Sequence, residues 1–204
     1  VNPNRDRKHG RIYRVVYDGN ESKRMNLAKA GTTRLVSALD SDNQFWRLTA
    51  QRLLVDGRKK DAAPALRKRT KGGGVGAIHA LWALDGLGEL DADTHRASII
   101  STDSALRRNA VRALGTDAAS MQLLYDSATL ADKDPQVRLA AFVKLAGQED
   151  SETVGKTATL LMTKPENAGD EWLSLILKAA GAGAMNVVRY ETGENLIRNA
   201  SFEK

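Results

Sequence analysis

Along most of the chain the hydrophobic positions follow one frame: an apolar anchor, a small residue four positions on, and a Leu four beyond that. The clearest copy lies in Asp134–Gly147, DPQVRLAAFVKLAG, where Val137, Ala141 and Leu145 are followed by Gly147. Leu106, Ala110 and Leu114, closed by Gly115, repeat it, as do Trp46, Ala50 and Leu54. Degraded copies stand at Gly76, Ala80 and Leu84 and at Trp172, Ile176 and Ala180. Successive copies start 30, 30, 31 and 35 residues apart. A 4+4 spacing marks one face of an α-helix. A fixed period of this size predicts stacked helix pairs, each burying its apolar face against its neighbours. The expected fold class is all-α, an α-α solenoid of about five helix pairs over residues 32–183, with short β-type segments at both ends.

Turn residues divide the pairs. Thr33 is a candidate N-cap for Thr32–Asp40, and Ser41-Asp42-Asn43 leads into Gln44–Val55, whose expected buried stripe is Phe45, Trp46, Ala50, Leu53 and Leu54. The second pair is Asp61–Arg69 and Val75–Leu84, and the third Asp93–Ser101 and Ser104–Leu114. The fourth is Ala118–Leu130 and Pro135–Ala146, with Pro135 in the first turn after a capping Asp134. The fifth is Ser151–Thr163 and Asp170–Ala180, ended by Gly181. A small Ala at the centre of each second helix lets neighbours approach closely, and Gly after the final Leu suits a left-handed cap. This is the logic of HEAT-like repeats.

The ends differ. Gly10–Asp18 is rich in β-branched and aromatic residues, ends in Asp-Gly and reads as a strand without a partner nearby. Its sheet is expected in a preceding domain, which makes residues 1–24 a terminal strand and linker; Asn20–Ala30 is polar and linker-like. Asn186–Glu191, NVVRYE, reads as a short strand or connector, and 184–204 as a linker and the start of a following module. The chain opens Val-Asn-Pro, which fits an internal piece of a longer protein or a processed product.

Composition narrows the chemistry. Apolar residues at 42% and charged residues at 27% suit a folded domain, and no apolar run reaches the ~18–20 residues of a membrane span. Without cysteine there is neither a disulfide framework nor a thiolate metal site. The net charge of +6 comes largely from Arg5–Arg24 and Arg58–Lys71. Within the second cluster Arg58, Lys59, Lys60, Arg67, Lys68, Arg69 and Lys71 flank Gly72–Gly74, a candidate anion or nucleic-acid patch. No phosphate-loop fingerprint accompanies those glycines, so an inter-helix turn with a solvated basic face is the simpler reading. Arg47, Arg107 and Arg138 share one repeat position, directly after the anchor, and read as a structural ladder bonding carboxylates or carbonyls of the adjacent turn. Asp103 and Asp134 are natural partners or caps. His79 reads as a packing or interhelix hydrogen-bonding residue, since ligation would need His9 or His95 beside it. Asp85 and Glu89, separated by Gly86 and Gly88, read as a helix end. Trp46, Trp82 and Trp172 fall on helical stripes and are expected in the core. The sequons at Asn20 and Asn199 are short enough to be chance. No nucleophile stands beside a base, so no catalytic, cofactor or metal residue is expected here.

Three segments carry a family resemblance. DRKHGRIYRVVYDG resembles the last propeller strand of the sugar/sorbosone dehydrogenase-like family, often labelled pyrroloquinoline-quinone-dependent. In large members from planctomycetes and related bacteria that propeller is followed by HEAT repeats. LVSALDSDNQFWRLTAQRLLVDG and IHALWALDGLGELD are similar to the first two of them, so the resemblance covers about Arg5–Leu90. NLIRNASFE is similar to the opening of carbohydrate-binding β-sandwich modules, and the Cys-x-x-Cys-His of the family's usual cytochrome module is absent. The resemblance implies an exported parent, periplasmic or extracellular, acting on sugars or glycans. It implies a non-catalytic scaffold or protein-interaction segment here, partnered by flanking domains or another protein, with the propeller's cofactor and metal sites upstream of Val1. The alternative is a nucleic-acid-binding solenoid that uses Arg58–Lys71.

Overall fold

The computed structural model describes residues 25–148 and 152–191, with side chains as far as Gly181. Among these residues the chain forms eleven α-helices and no strand. Successive helices pack on one another: α1 (Thr32–Ala38) on α2 (Gln44–Asp56), α3 (Ala63–Thr70) on α4 (Gly74–Leu87), and α5 (Ala92–Ile99) on α6 (Ser104–Arg112). Next come α7 (Ala118–Asp126) and α8 (Pro135–Ala146), with the 3₁₀ turn between them packed on both, then α9 (Glu152–Met162), the single turn α10 (Pro165–Ala168) and α11 (Glu171–Glu191). Short 3₁₀ turns at Lys60–Ala62 and Ala128–Ala131 adjoin α3 and α7.

Acidic or amide caps start most second helices. Asn43 accepts from the Phe45 amide, Asp103 from Ala105 and Leu106, Asp134 from Gln136, and Asp170 from Trp172 and Leu173. Each satisfies donors that a helix start leaves unpaired. The second helices pack in chain order, α2 on α4, α4 on α6, α6 on α8 and α8 on α11. Where they meet, Ala50, Ala80, Ala110 and Ala141 are fully buried. Leu54, Leu84, Leu114 and Leu145 are buried beside them, and Trp46 is half-buried against the same core. A methyl at the crossing lets two backbones approach, and the Leu one turn later fills the space between pairs.

Several expectations need correction. Thr33 is not the cap of α1; Gly31 precedes that helix without a side-chain cap, and the Thr32 hydroxyl donates to Asp61 across to the next pair. Leu27, inside the supposed polar linker, is buried in the first core. Phe45 is 63% exposed and lies off the buried stripe of α2. In the last copy Leu173 and Leu177 are buried one residue beyond the expected Trp172 and Ile176, and Trp172 is 67% exposed, whereas Ala180 is buried where the frame puts it. The anchor spacing from Val137 is thus a residue longer than the Trp172 register implies. Helix α11 does not stop at Gly181 but runs through NVVRYE to Glu191, so that segment is neither strand nor connector. The expected strand at Gly10–Asp18, and NLIRNASFE, lie outside the described residues.

The glycine caps are also less uniform than the repeat suggests. Gly88, after α4, takes the left-handed conformation with φ 67°. Gly57, after α2, stays at φ −76°; a Cβ there would sit 2.6 Å from the Leu53 carbonyl oxygen. The left-handed residue after α2 is Arg58, at φ 47°. A residue with a Cβ is strained there by about 1–2 kcal/mol, and the exposed Arg58 side chain makes no ion pair among the described residues. We expect Arg58→Gly to raise unfolding stability by about 1 kcal/mol, after the larger entropy loss of glycine is deducted. Urea melts of the two proteins check it; an unchanged or lower midpoint contradicts the strain.

Candidate interaction surface

The arginine ladder is built as a set of joints between pairs. Arg47 donates through Nη1 to the carbonyls of Ser41 (2.6 Å) and Asp42 (2.9 Å), and through Nε to His79 Nε2 in the next pair (3.3 Å). Arg107 donates to the carbonyls of Ser101 (2.8 Å) and Thr102 (3.1 Å), and bidentately to Asp132 at 2.7 and 2.8 Å. Arg138 donates to the Asp132 carbonyl (2.8 Å), to Asn167 Oδ1 (2.9 Å) and to the Glu166 carbonyl (3.2 Å). Each guanidinium therefore satisfies the turn behind it and grips the pair ahead. Asp103 and Asp134 act as caps, and the carboxylate that receives Arg107 is Asp132.

The second pair has Ala77 at the ladder position, and its joint runs the other way. Arg69, on α3, donates to the Gly73 carbonyl at 3.0 Å and forms a bidentate ion pair with Asp40 of the first pair. That pair occupies the space beside Gly76, where a Cβ would fall 2.0 Å from Asp40 Oδ1 and 2.6 Å from Arg69 Nη2. The anchor is glycine in this copy because the ion pair fills the volume that Trp46, Leu106 or Val137 fills elsewhere.

The basic patch is partly neutralised. Lys60 pairs with Glu89 at 3.0 Å, Arg67 with Asp91 and Glu89, and Arg69 with Asp40. The glycine loop does not present an open anion cradle: the Gly74 amide donates to Asp103 Oδ2 at 2.7 Å. Arg58, Lys59, Lys68 and Lys71 remain exposed. His79 is held between Gln51 (Nδ1 to Oε1, 2.7 Å) and Arg47, which requires a neutral ring with its proton on Nδ1. Burial, reinforced by the Arg47 charge, pushes its pKa below the ordinary 6.5. His95 sits apart, bonded to the Ala110 carbonyl at 2.7 Å, and His9 lies outside the described residues.

No family model matches the chain, and no curated protein matches it.

Opposite the buried stripe, the second helices share a free face. It carries Phe45 and Leu48 on α2, Val75 on α4, Val143 on α8, and Trp172 and Leu175 on α11, all large apolar residues between 49% and 67% exposed. At the first pair this face opens into a groove of about 820 Å³ between residues 25–28 and α2. Trp82 is half-buried on α4, its indole N–H fixed by Asn109 Oδ1 at 2.9 Å on α6. Neither the exposure of Phe45 and Trp172 nor the Asp132 and Asn167 partners was anticipated. For Asp132 a signal existed: it stands two residues before the cap Asp134, as Ser41 and Ser101 stand two before Asn43 and Asp103.

Two measurements check the joints. Arg107 and Asp132 have side chains only 9% exposed, so Arg107→Met leaves a buried carboxylate without its counter-charge and two carbonyls without their donor. Its expected cost is about 3–5 kcal/mol, against about 1–2 kcal/mol for Arg47→Met, whose partners are neutral. Equal costs in denaturant melts contradict the charged joint. For His79, the folded state binds fewer protons than the unfolded chain below about pH 6.5, so its contribution is complete above that pH and lost on acidification. The melting temperature of His79→Gln is expected to fall less than that of the parent between about pH 7.5 and 5.5; parallel pH profiles contradict the assignment.

Proposed function

We propose that this chain is a non-catalytic scaffold and protein-interaction segment, a HEAT-like solenoid of about five helix pairs within a larger exported protein of the sugar-dehydrogenase-like type. The observation that carries the reading is the ladder. At equivalent repeat positions Arg47, Arg107 and Arg138 each bind the turn behind and the pair ahead, which is how a stack of units held only by its neighbours is joined. The repeated polar side chains are engaged in these joints, while the repeated free face is apolar or mixed. A surface of that kind suits a protein partner or a flanking domain. The exported location and the propeller parent rest on the resemblance over about Arg5–Leu90.

The nucleic-acid alternative draws less support. Lys60, Arg67 and Arg69 are paired with carboxylates, and the remaining four cations of the cluster lie along loops and α3. Affinity for a phosphate backbone grows with the number of phosphates neutralised, and four scattered cations offer a short footprint.

Reading the genomic DNA on either side of the coding segment tests the proposal. Propeller-type strands upstream and a sandwich or cytochrome module downstream are expected. A start codon directly before Val1 with a stop codon directly after Lys204 would overturn the parent protein and the location.

A further inference from the structure

We propose that the free face of α4, α6 and α8 binds an extended acidic segment of a partner protein, held by apolar anchors on either side of a carboxylate. The inference rests on the interaction-scaffold reading and names the partner's chemistry. It starts from the order of side chains across three neighbouring helices. Helix α4 presents Val75, 51% exposed, with half-buried Ile78 and Trp82. Helix α8 presents Val143, also 51% exposed, with half-buried Leu139. Between them α6 presents Arg108 and Arg112 at positions equivalent to Ile78 and Trp82. The face is therefore apolar, cationic and apolar in succession.

Charge points to an acid as the occupant. Helices α6 and α8 contain no acidic residue, and α4 contains only Asp85 near its C-terminal end. Arg107 is committed to Asp132, but Arg108 and Arg112 make no ion pair among the described residues, and Arg108 Nε is buried without a hydrogen bond. A guanidinium beside apolar walls is weakly hydrated and binds a carboxylate bidentately. Trp82 is already fixed by Asn109, which itself donates to the Ala105 carbonyl, so one wall of the site is set before anything binds. Two cations between apolar helices do not track a phosphate backbone.

Spacing gives the form of the ligand. Packed helices lie about 8–10 Å apart, and an extended chain advances about 3.3 Å per residue. Crossing from one helix to the next takes about three residues. The matching segment has an acidic residue with an apolar residue three positions before it and another three positions after.

The probe is a fluorescein-labelled eleven-residue peptide of glycine and serine carrying one aspartate with a leucine three positions to each side. Its anisotropy is followed with the full chain in low salt. Saturable binding is expected, weakened about tenfold by Arg108→Ala with Arg112→Ala and roughly fivefold by Val143→Ser. It is expected to be unchanged by Arg58→Ala with Lys59→Ala. A peptide with lysine in place of aspartate is expected to bind only to Arg112→Glu; that exposed position keeps the comparison free of folding losses, which circular dichroism verifies. Absence of binding, equal binding of the aspartate and lysine peptides, or indifference to the α6 arginines overturns the inference. Binding confined to a thymidine 20-mer and lost in Arg58→Ala with Lys59→Ala overturns it in favour of nucleic acid. Failure of the peptide leaves the flanking-domain reading standing, because that is decided by the DNA on either side.

Discussion

A helix pair that ends in a tight turn and is then covered by the next pair has carbonyl groups it cannot bond within its own helices. The structure depends on how those carbonyls are met. Arg47, Arg107 and Arg138 meet them from the first turn of the following helix, reaching back six and five residues with a single Nη. Guanidinium suits the task because its planar fork carries further donors pointing elsewhere. Those donors reach the next pair, so one side chain closes a turn and joins two units. A lysine at the same place would supply charge but not this divided geometry.

The acceptor in the next pair changes from joint to joint: a neutral imidazole at His79, a carboxylate at Asp132, an amide at Asn167. Only the middle joint is a buried ion pair. Burial works to raise the Asp132 pKa, but hydrogen bonds from Arg107 and from the Asp134 amide outweigh it and hold the carboxyl below its ordinary value. A group with a depressed folded pKa stabilises above its unfolded value of 3.8 and ceases to as pH falls through the folded one, so acid attacks the centre of the stack at this joint. The outer joints have no such carboxylate, and the first is instead sensitive to acidification below about pH 6.5 through His79.

What could be read from the sequence follows from what periodicity encodes. A 4+4 frame fixes the angle of a side chain about its own helix, and Ala50, Ala80, Ala110 and Ala141 are buried as that angle requires. It placed three arginines at equivalent positions, directly after the anchor. It does not encode which neighbour arrives to meet them, so Asp132 and Asn167 had to come from the fold. Phe45 and Trp172 show a second limit. Both are aromatic residues beside a frame position, and hydrophobicity alone cannot distinguish a core anchor from an exposed residue one step, about 100°, around the helix. In the last copy Leu173, and not Trp172, is the buried anchor. The weak copy at Gly76 has the opposite cause: nothing was lost there, because the Arg69–Asp40 ion pair occupies the missing volume.

The joints and the free face are two results of one division of labour around each second helix. Charged side chains that must be buried are gathered at the turn end, directly after the anchor, where carbonyls and caps receive them. Alanines at the crossings bring neighbouring helices close, which sets their outward positions side by side. The opposite face carries less of the packing between helices, and one outward position on it changes from helix to helix: phenylalanine, valine, alanine, glutamine and tryptophan occupy it in turn. Phe45, Val75 and Trp172 stand at that position and keep their large apolar side chains at a cost in exposed hydrophobic surface. That cost has a physical reason to persist when something else covers the face.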